Sequence, residues 1–233
     1  MYLLSYLKLV GAKILIIDHN DSFTYNLVGL FERLPEVEQV TVVGVDDLEK
    51  ERLDSKDRLQ HFDTVVLSPG PGLPADYPQV TTLLDHCFNR ASPMPVLGIC
   101  LGMQTLATYF GGQLYNLRKV QHGRQVALHK TTLEGNGNKD NLFNDISAPL
   151  LVGLYHSWAV DLRQPIKALE VLATAQVATL AGEGPAAAPI VMALRHKTLP
   201  AYGLQFHPES YMSPSGPKII QNWLHQVLPS TQS

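Results

Sequence analysis

The chain has 233 residues, with 18 Lys plus Arg against 21 Asp plus Glu, 45% hydrophobic residues, 17 Gly and 16 Pro. This is the balance of a globular protein that can bury a sizeable core without disulfide staples. A formal net charge of −3 leaves no overall basic surplus to neutralise a phosphate backbone, so nucleic acid is not an expected partner. The only two cysteines, Cys87 and Cys100, are too few for a disulfide framework or a Cys-rich zinc site and fit free thiols in a reducing cytoplasm.

Residues 1–12 are apolar but interrupted by Lys8, lack a preceding basic segment, and run into a core strand at Lys13. They read as an N-terminal extension rather than a signal peptide or membrane anchor. From Lys13 the pattern is one of short β-rich apolar runs followed by turns and amphipathic stretches, as expected for strands covered on both faces by crossover helices. Lys13 to Ile17 reads as a strand. Phe23 to Leu34 reads as a helix with Phe23, Leu27, Leu30, Phe31 and Leu34 on one face and Asp21 or Ser22 as N-cap. Val40 to Val45 and Thr64 to Leu67 are further strands, the second stopped by Ser68-Pro69-Gly70-Pro71-Gly72. Val80 to Phe88 is a helix, and strand Pro95 to Ile99 leads through Cys100 into helix Leu101 to Phe110, closed by Gly111-Gly112.

Beyond Gln113 the pattern changes to short alternating segments, Gln125 to His129, Leu151 to Tyr155, Val171 to Thr179 and Ile190 to Leu194, separated by turns such as Gly135-Asn136-Gly137-Asn138. These predict antiparallel strands appended to the α/β core, with Ala181 to Pro189 a loop by composition. Strand Tyr202 to Phe206 and helix Lys218 to Leu228 close the fold. No repeat or linker divides the chain, which predicts one domain over residues 13–228 and a tail at 229–233.

The strongest chemical signal is Gly98-Ile99-Cys100-Leu101-Gly102, a G-x-C-x-G sequence between a strand and a helix, the thiol version of a nucleophile elbow. A nucleophile on so sharp a turn brings backbone too close for side chains two residues to either side. A helix N-terminus also offers unpaired N–H groups to a thiolate. Cys87 has no such setting and reads as structural. Among nine histidines, His207 is best placed, just past the last strand in Gln205-Phe206-His207-Pro208-Glu209-Ser210. Residues two apart on an extended chain project to the same side, so Glu209 can hold the tautomer and orientation of the His207 ring. The Ser68 to Gly72 turn can offer the Gly72 N–H to join that of Leu101 around an oxyanion. The chain order Cys, His, Glu argues against an α/β hydrolase.

Asp18-His19-Asn20-Asp21-Ser22-Phe23-Thr24-Tyr25-Asn26-Leu27, Ser68-Pro69-Gly70-Pro71-Gly72, Gly98-Ile99-Cys100-Leu101-Gly102-Met103-Gln104, His156-Ser157-Trp158 and Gln205-Phe206-His207-Pro208-Glu209-Ser210 together resemble the class I (triad-type) glutamine amidotransferases in order and spacing. The DxxDSFTYNL opening is similar to that of the glutaminase subunits of anthranilate synthase and aminodeoxychorismate synthase. The resemblance implies a flavodoxin-like, doubly wound α/β fold with a mostly parallel central sheet and appended antiparallel strands. It also implies a Cys100, His207, Glu209 triad that releases ammonia from L-glutamine. Glutamine contacts carry over onto Gly70, Pro71, Gly72, Gln104, Ser157 and Trp158, the last standing where the family more often has leucine. Within this family no metal or cofactor is implied in the chain itself. The implied partner is a chorismate-binding synthase subunit that carries Mg²⁺ and receives the ammonia.

Three other readings compete. An amidotransferase subunit for carbamoyl phosphate or guanine nucleotide synthesis lacks the DxxDSFTYNL opening. A magnesium-dependent phosphoacceptor domain, suggested by Asp18 and Asp21 after the first strand, needs an Asp at the end of the third strand, where this chain has Ser68. A catalytically silent relative would not be expected to keep all three triad residues. Between the tryptophan and folate pathways the glutaminase chemistry is the same, and the sequence leaves both open.

Overall fold

In the computed structural model the residues described are 11–51, 53, 56–131, 142–164, 166–176 and 189–228. The N-terminal extension up to residue 10, the Gly135 to Asn138 turn, the 177–188 segment and the tail at 229–233 lie outside them. Among the described residues, ten strands and five α-helices follow in chain order: β1 (Ala12–Asp18), α1 (Thr24–Glu32), β2 (Val37–Gly44), α2 (Lys56–Leu59), β3 (Thr64–Leu67), α3 (Pro78–Phe88), β4 (Val96–Ile99), α4 (Leu101–Tyr109), β5 (Leu114–Ala127), β6 (His129–Lys130), β7 (Leu151–Val160), β8 (Leu169–Ala175), β9 (Ile190–His196), β10 (Ala201–Leu204) and α5 (Gly216–Val227).

Eight strands form one sheet in the order β2-β1-β3-β4-β10-β9-β8-β6. The first five are mutually parallel, and β9, β8 and β6 continue the sheet in antiparallel pairing. Alternation along each parallel strand supplies two cores. Ile14 and Ile16 of β1 and Val66 of β3 face a layer containing Leu27 and Phe31 of α1 and Ile219 and Trp223 of α5. Leu15, Ile17, Val65 and Leu67 face Leu59 of α2, Leu83 and Leu84 of α3 and Leu106 of α4. The Phe31 and Trp223 rings meet edge to face with centroids 6.4 Å apart, joining the first and last helices on one face.

The appended strands divide into two groups rather than forming one extra sheet. While β6, β8 and β9 extend the main sheet, β5 and β7 make a separate two-stranded antiparallel ribbon. Both ribbon strands are longer than the alternation predicted. The ribbon is tied back by an isolated bridge between Gly153 and His207.

At α1 the first helical residue is Thr24, and the residue before it, Phe23, makes no side-chain cap. Asp21 nevertheless acts as the expected polar start, its carboxylate accepting the Phe23 N–H at 2.8 Å. Asp18 accepts both the Asp21 N–H at 3.1 Å and the Thr24 hydroxyl at 2.7 Å. The DxxDSFT sequence is therefore a self-capped turn at the C-terminal end of β1.

Because β4 and β10 are adjacent and parallel with Ile99 opposite Leu204, the chain leaves both strands side by side, at Cys100 and at Gln205. Gly102 is what allows α4 to start there, since a Cβ on it would come within 2.7 Å of Leu67 Cβ and 3.0 Å of the Leu67 carbonyl carbon. We expect Gly102→Ala to lower stability by ~2 kcal/mol or more, because β3 backbone cannot yield. Gly29→Ala, in a helix interior with nothing closer than 3.7 Å to the new methyl, should instead raise it by roughly 0.5–1 kcal/mol. Urea unfolding of the two variants reads the opposite signs.

Candidate active site

Strand β4 delivers Cys100 into a strained turn. Its φ is +52° and its ψ −102°, a combination that L-residues adopt only where neighbouring structure imposes it. The backbone N–H donates to the Leu204 carbonyl at 2.7 Å and the carbonyl accepts from Gln104 N–H at 3.1 Å, so both sides of the turn are pinned. Gly98 has no room for a side chain against the Gly102 carbonyl. Cys100 is the N-cap of α4, and Leu101, the first residue of the helix, has an N–H with no acceptor one turn back. Cys100 is buried, at 6% exposure.

His207 reaches the same place from β10. Its N–H donates to the Gly153 carbonyl at 3.1 Å. Ring nitrogen Nδ1 lies 2.6 Å from Oε1 of Glu209, whose side chain is wholly buried. That contact makes Nδ1 the donor to the carboxylate, which leaves Nε2 without a protein hydrogen-bond partner. Phe23 and Tyr155 wall the ring, with centroids 5.5 and 4.9 Å away. Burial pulls the His207 pKa down, but the nearby Cys100 and the Glu209 carboxylate hydrogen-bonded to Nδ1 outweigh it and lift the value to about 10. The ring is thus held protonated at neutral pH. Cys87 is the contrast, since burial among apolar neighbours pushes its thiol up to about 12.

On the other side of the thiol stands an amide network. Gln104, one turn into α4, donates through Nε2 to the Trp158 carbonyl at 2.9 Å and to Gln205 Oε1 at 3.2 Å. Gln205 Nε2 in turn donates to Cys100 Sγ at 3.6 Å. The Trp158 carbonyl also accepts from His156 Nδ1 at 2.8 Å.

The loop after β3 closes the third side. Ser68 Oγ accepts the His19 N–H at 2.9 Å and donates to the Pro69 carbonyl at 2.6 Å. Tyr77 packs edge-on to the His19 ring at 5.0 Å and its hydroxyl donates to the Pro71 carbonyl at 3.0 Å. A Cβ on Gly70 would clash with His19 and lie 2.9 Å from Leu101 Cδ2, so Gly70 is the loop residue pressed against the elbow. Gly72 is exposed, with φ +76°, and its surroundings are the Asp76 carboxylate.

Of the residues singled out from the sequence, Cys100, Leu101, Gln104, His207, Glu209, Gly70 and the Trp158 backbone converge here. Pro71 and Gly72 lie exposed on the rim, and Ser157 is half-buried on β7. The Trp158 carbonyl already holds Gln104 and His156. Phe23, expected on the buried helix face, instead stands against His207. Sequence reasoning gave no role to His19, Ser68, Tyr155 or Gln205. The period-two argument that linked His207 to Glu209 applies equally to Gln205, which precedes His207 by two.

Two further histidines are held neutral. Burial lowers the His19 pKa to about 4 against the opposing charge of Asp18, and burial with the nearby His207 charge lowers that of His156 to about 4. Both fall from an ordinary 6.5. Their contribution to stability is complete above pH 6.5 and is lost as pH falls toward 4, where the unfolded chain takes up protons the folded protein refuses. His207 has the opposite sign: its contribution is complete below 6.5 and is lost as pH rises through about 10. Between pH 6.5 and 4, His19→Asn should flatten the pH dependence of the unfolding free energy by about one proton. An unchanged slope in denaturant titrations across that window would contradict the neutral His19.

Residues 15–227 match the sequence family described as Glutamine amidotransferase class-I. A Haemophilus influenzae protein is 41% identical over 91% of this chain and 95% of its own length. Anthranilate synthase component 2 of Lactococcus lactis is 38% identical over 94% of this chain and 98% of its own. A protein of Streptomyces griseus named aminodeoxychorismate synthase is 36% identical over 90% of this chain, which corresponds to 25% of that longer protein. Among solved structures, a glutamine amidotransferase from Thermotoga maritima shares the fold with a TM-score of 0.58 at 20% identity, covering 92% of this chain and 81% of that one.

Proposed function

The chain belongs to the class-I glutamine amidotransferases, and on that premise we propose that it is the glutaminase subunit of a chorismate-using synthase, most simply anthranilate synthase. The observation that carries the chemistry is the buried pairing of His207 with Glu209 beside a cysteine held at positive φ on a helix N-terminus. The acceptor assignment is supported by full-length relatives named anthranilate synthase component 2. The Streptomyces griseus name keeps aminodeoxychorismate synthesis as the second reading.

In the proposed reaction Cys100 Sγ attacks the side-chain amide carbon of glutamine. The developing oxyanion is met by the Leu101 N–H and by an N–H of the 70–72 loop. His207 Nε2 gives its proton to the nitrogen as the carbon–nitrogen bond breaks, and ammonia leaves. His207 Nε2, now neutral, takes a proton from water, whose oxygen attacks the γ-glutamyl thioester, and glutamate departs as the thiolate is restored. Glu209 keeps the imidazole in one tautomer throughout. Gln104, Ser157 and Trp158 are proposed to bind the amino-acid end of glutamine. Ammonia passes to the synthase subunit, on which this reading places Mg²⁺.

Cys100→Ala should abolish glutamine-dependent synthesis in the reconstituted complex while leaving synthesis from ammonium salt intact, because the acceptor chemistry resides on the partner. Full glutamine-dependent turnover in that variant would remove the thiol mechanism. Replacing His207 by Ala should cost about 10²- to 10⁴-fold in glutaminase turnover. Glu209→Gln should cost less, since a hydrogen-bonding partner of the same shape remains.

The pathway is assigned by mixing the purified chain with candidate synthase subunits, glutamine, chorismate and Mg²⁺ and identifying the aminated product. We expect anthranilate; aminodeoxychorismate alone would move the assignment to the folate branch. Glutaminase turnover should also rise on adding the cognate subunit, and equal rates with and without it would mark a free-standing glutaminase.

A further inference from the structure

The hydrogen bonds around the nucleophile have a direction that the side chains alone do not impose. An amide side chain can be reversed, exchanging donor for acceptor, unless something fixed dictates its sense. The fixed group is the Trp158 backbone carbonyl, which can only accept. It therefore faces the amino group of Gln104, at 2.9 Å. That amino group also lies 3.2 Å from the Gln205 side chain, so Gln205 must turn its oxygen inward. With its oxygen committed, Gln205 can present only its amino group to Cys100 Sγ, at 3.6 Å.

We propose that Gln205 is the protein's own hydrogen-bond donor to the reacting sulfur, and that Gln104 is a positioning residue that fixes the sense of that donor from the Trp158 carbonyl. The inference rests on the reading of Cys100 as nucleophile and adds to it a second support for the thiolate, opposite in kind to His207. Gln205 is fully buried and Gln104 nearly so, which shields the chain from water that would compete for its donors. The backbone of Gln205 is pinned as well, its N–H donating to the Met192 carbonyl at 2.9 Å. A donor of this kind is in place before charge develops. It favours the thiolate that attacks and the same thiolate when it leaves the thioester, and a hydrogen bond to a charged group is stronger than one to a neutral group.

Alkylation of Cys100 by iodoacetamide reads the reactivity of the sulfur without requiring glutamine to bind. At neutral pH, Gln205→Met, which keeps length but removes the donor, should slow that reaction by roughly ten-fold or more, the effect of losing one hydrogen bond to a charged group. Gln104→Met keeps length, removes the donor that fixes the sense of the Gln205 amide, and adds no charge beside the sulfur. The Gln205 amide is then free to turn its oxygen toward the sulfur, and alkylation should slow, by less than in Gln205→Met, although Gln205 is unchanged. In the glutaminase assay Gln205→Met should lower kcat with little change in KM.

Circular dichroism and thermal melts establish that each variant is folded. Should Gln205→Met fail to fold, Gln104→Met carries the test one bond further away. Wild-type alkylation rates in the folded variants would overturn the relay while leaving the nucleophile standing. The reading of Cys100 fails differently: its thiol in the unmodified protein would react no faster than in the unfolded chain, or glutaminase activity would survive in Cys100→Ala.

Discussion

Parallel pairing of β4 with β10, in the register that sets Ile99 opposite Leu204, is the constraint from which the site follows. Each strand ends where the other ends, so the residues that leave them are neighbours without any loop having to reach across the sheet. The hydrogen bond from the Cys100 N–H to the Leu204 carbonyl locks the two exits together. Holding a cysteine at φ +52° costs about 1–3 kcal/mol, and the close approach of Gly98, Gly102 and Leu67 leaves the turn no relaxed alternative. The sheet thus aims the sulfur by restricting the backbone, and the helix that begins at Leu101 supplies unpaired N–H groups at the same point.

Around that fixed point the buried titratable groups are sorted by their neighbours. His207 has a carboxylate on Nδ1 and the thiol near its other side, so its ring stays protonated despite burial. His19 and His156 have a serine hydroxyl and a backbone carbonyl instead, and burial keeps both neutral. The same residue type therefore takes opposite charge states within one pocket, and the difference lies in whether a negative partner is in contact.

Much of this was legible in the residues themselves. The parallel core announced itself because strands buried on both faces are apolar throughout, as in Ile14 to Ile17 and Val65 to Leu67, and because Gly and Pro mark their ends sharply. The elbow was legible because sterics demand glycine at fixed spacing. The ribbon was less so: β5 and β7 carry polar residues such as Asn116, Gln125 and Ser157 along much of their length, and a strand with a solvent face carries a weaker apolar signal. Phe23 was misplaced for a related reason, since helical periodicity assigns it to the core face while the self-capped turn before Thr24 sends it toward His207. The amide relay spans 101 residues between Gln104 and Gln205. No local pattern reports a contact at that separation; only the sheet topology brings the two together.

The most direct test of this account is to treat the protein with a glutamine analogue carrying an electrophilic carbon in place of the side-chain amide, and to map the modified peptide by mass spectrometry. The account predicts one covalent adduct on Cys100, formed with loss of glutaminase activity, slowed by free glutamine, and absent from Cys87. An adduct on Cys87, or inactivation with Cys100 unmodified, would contradict it.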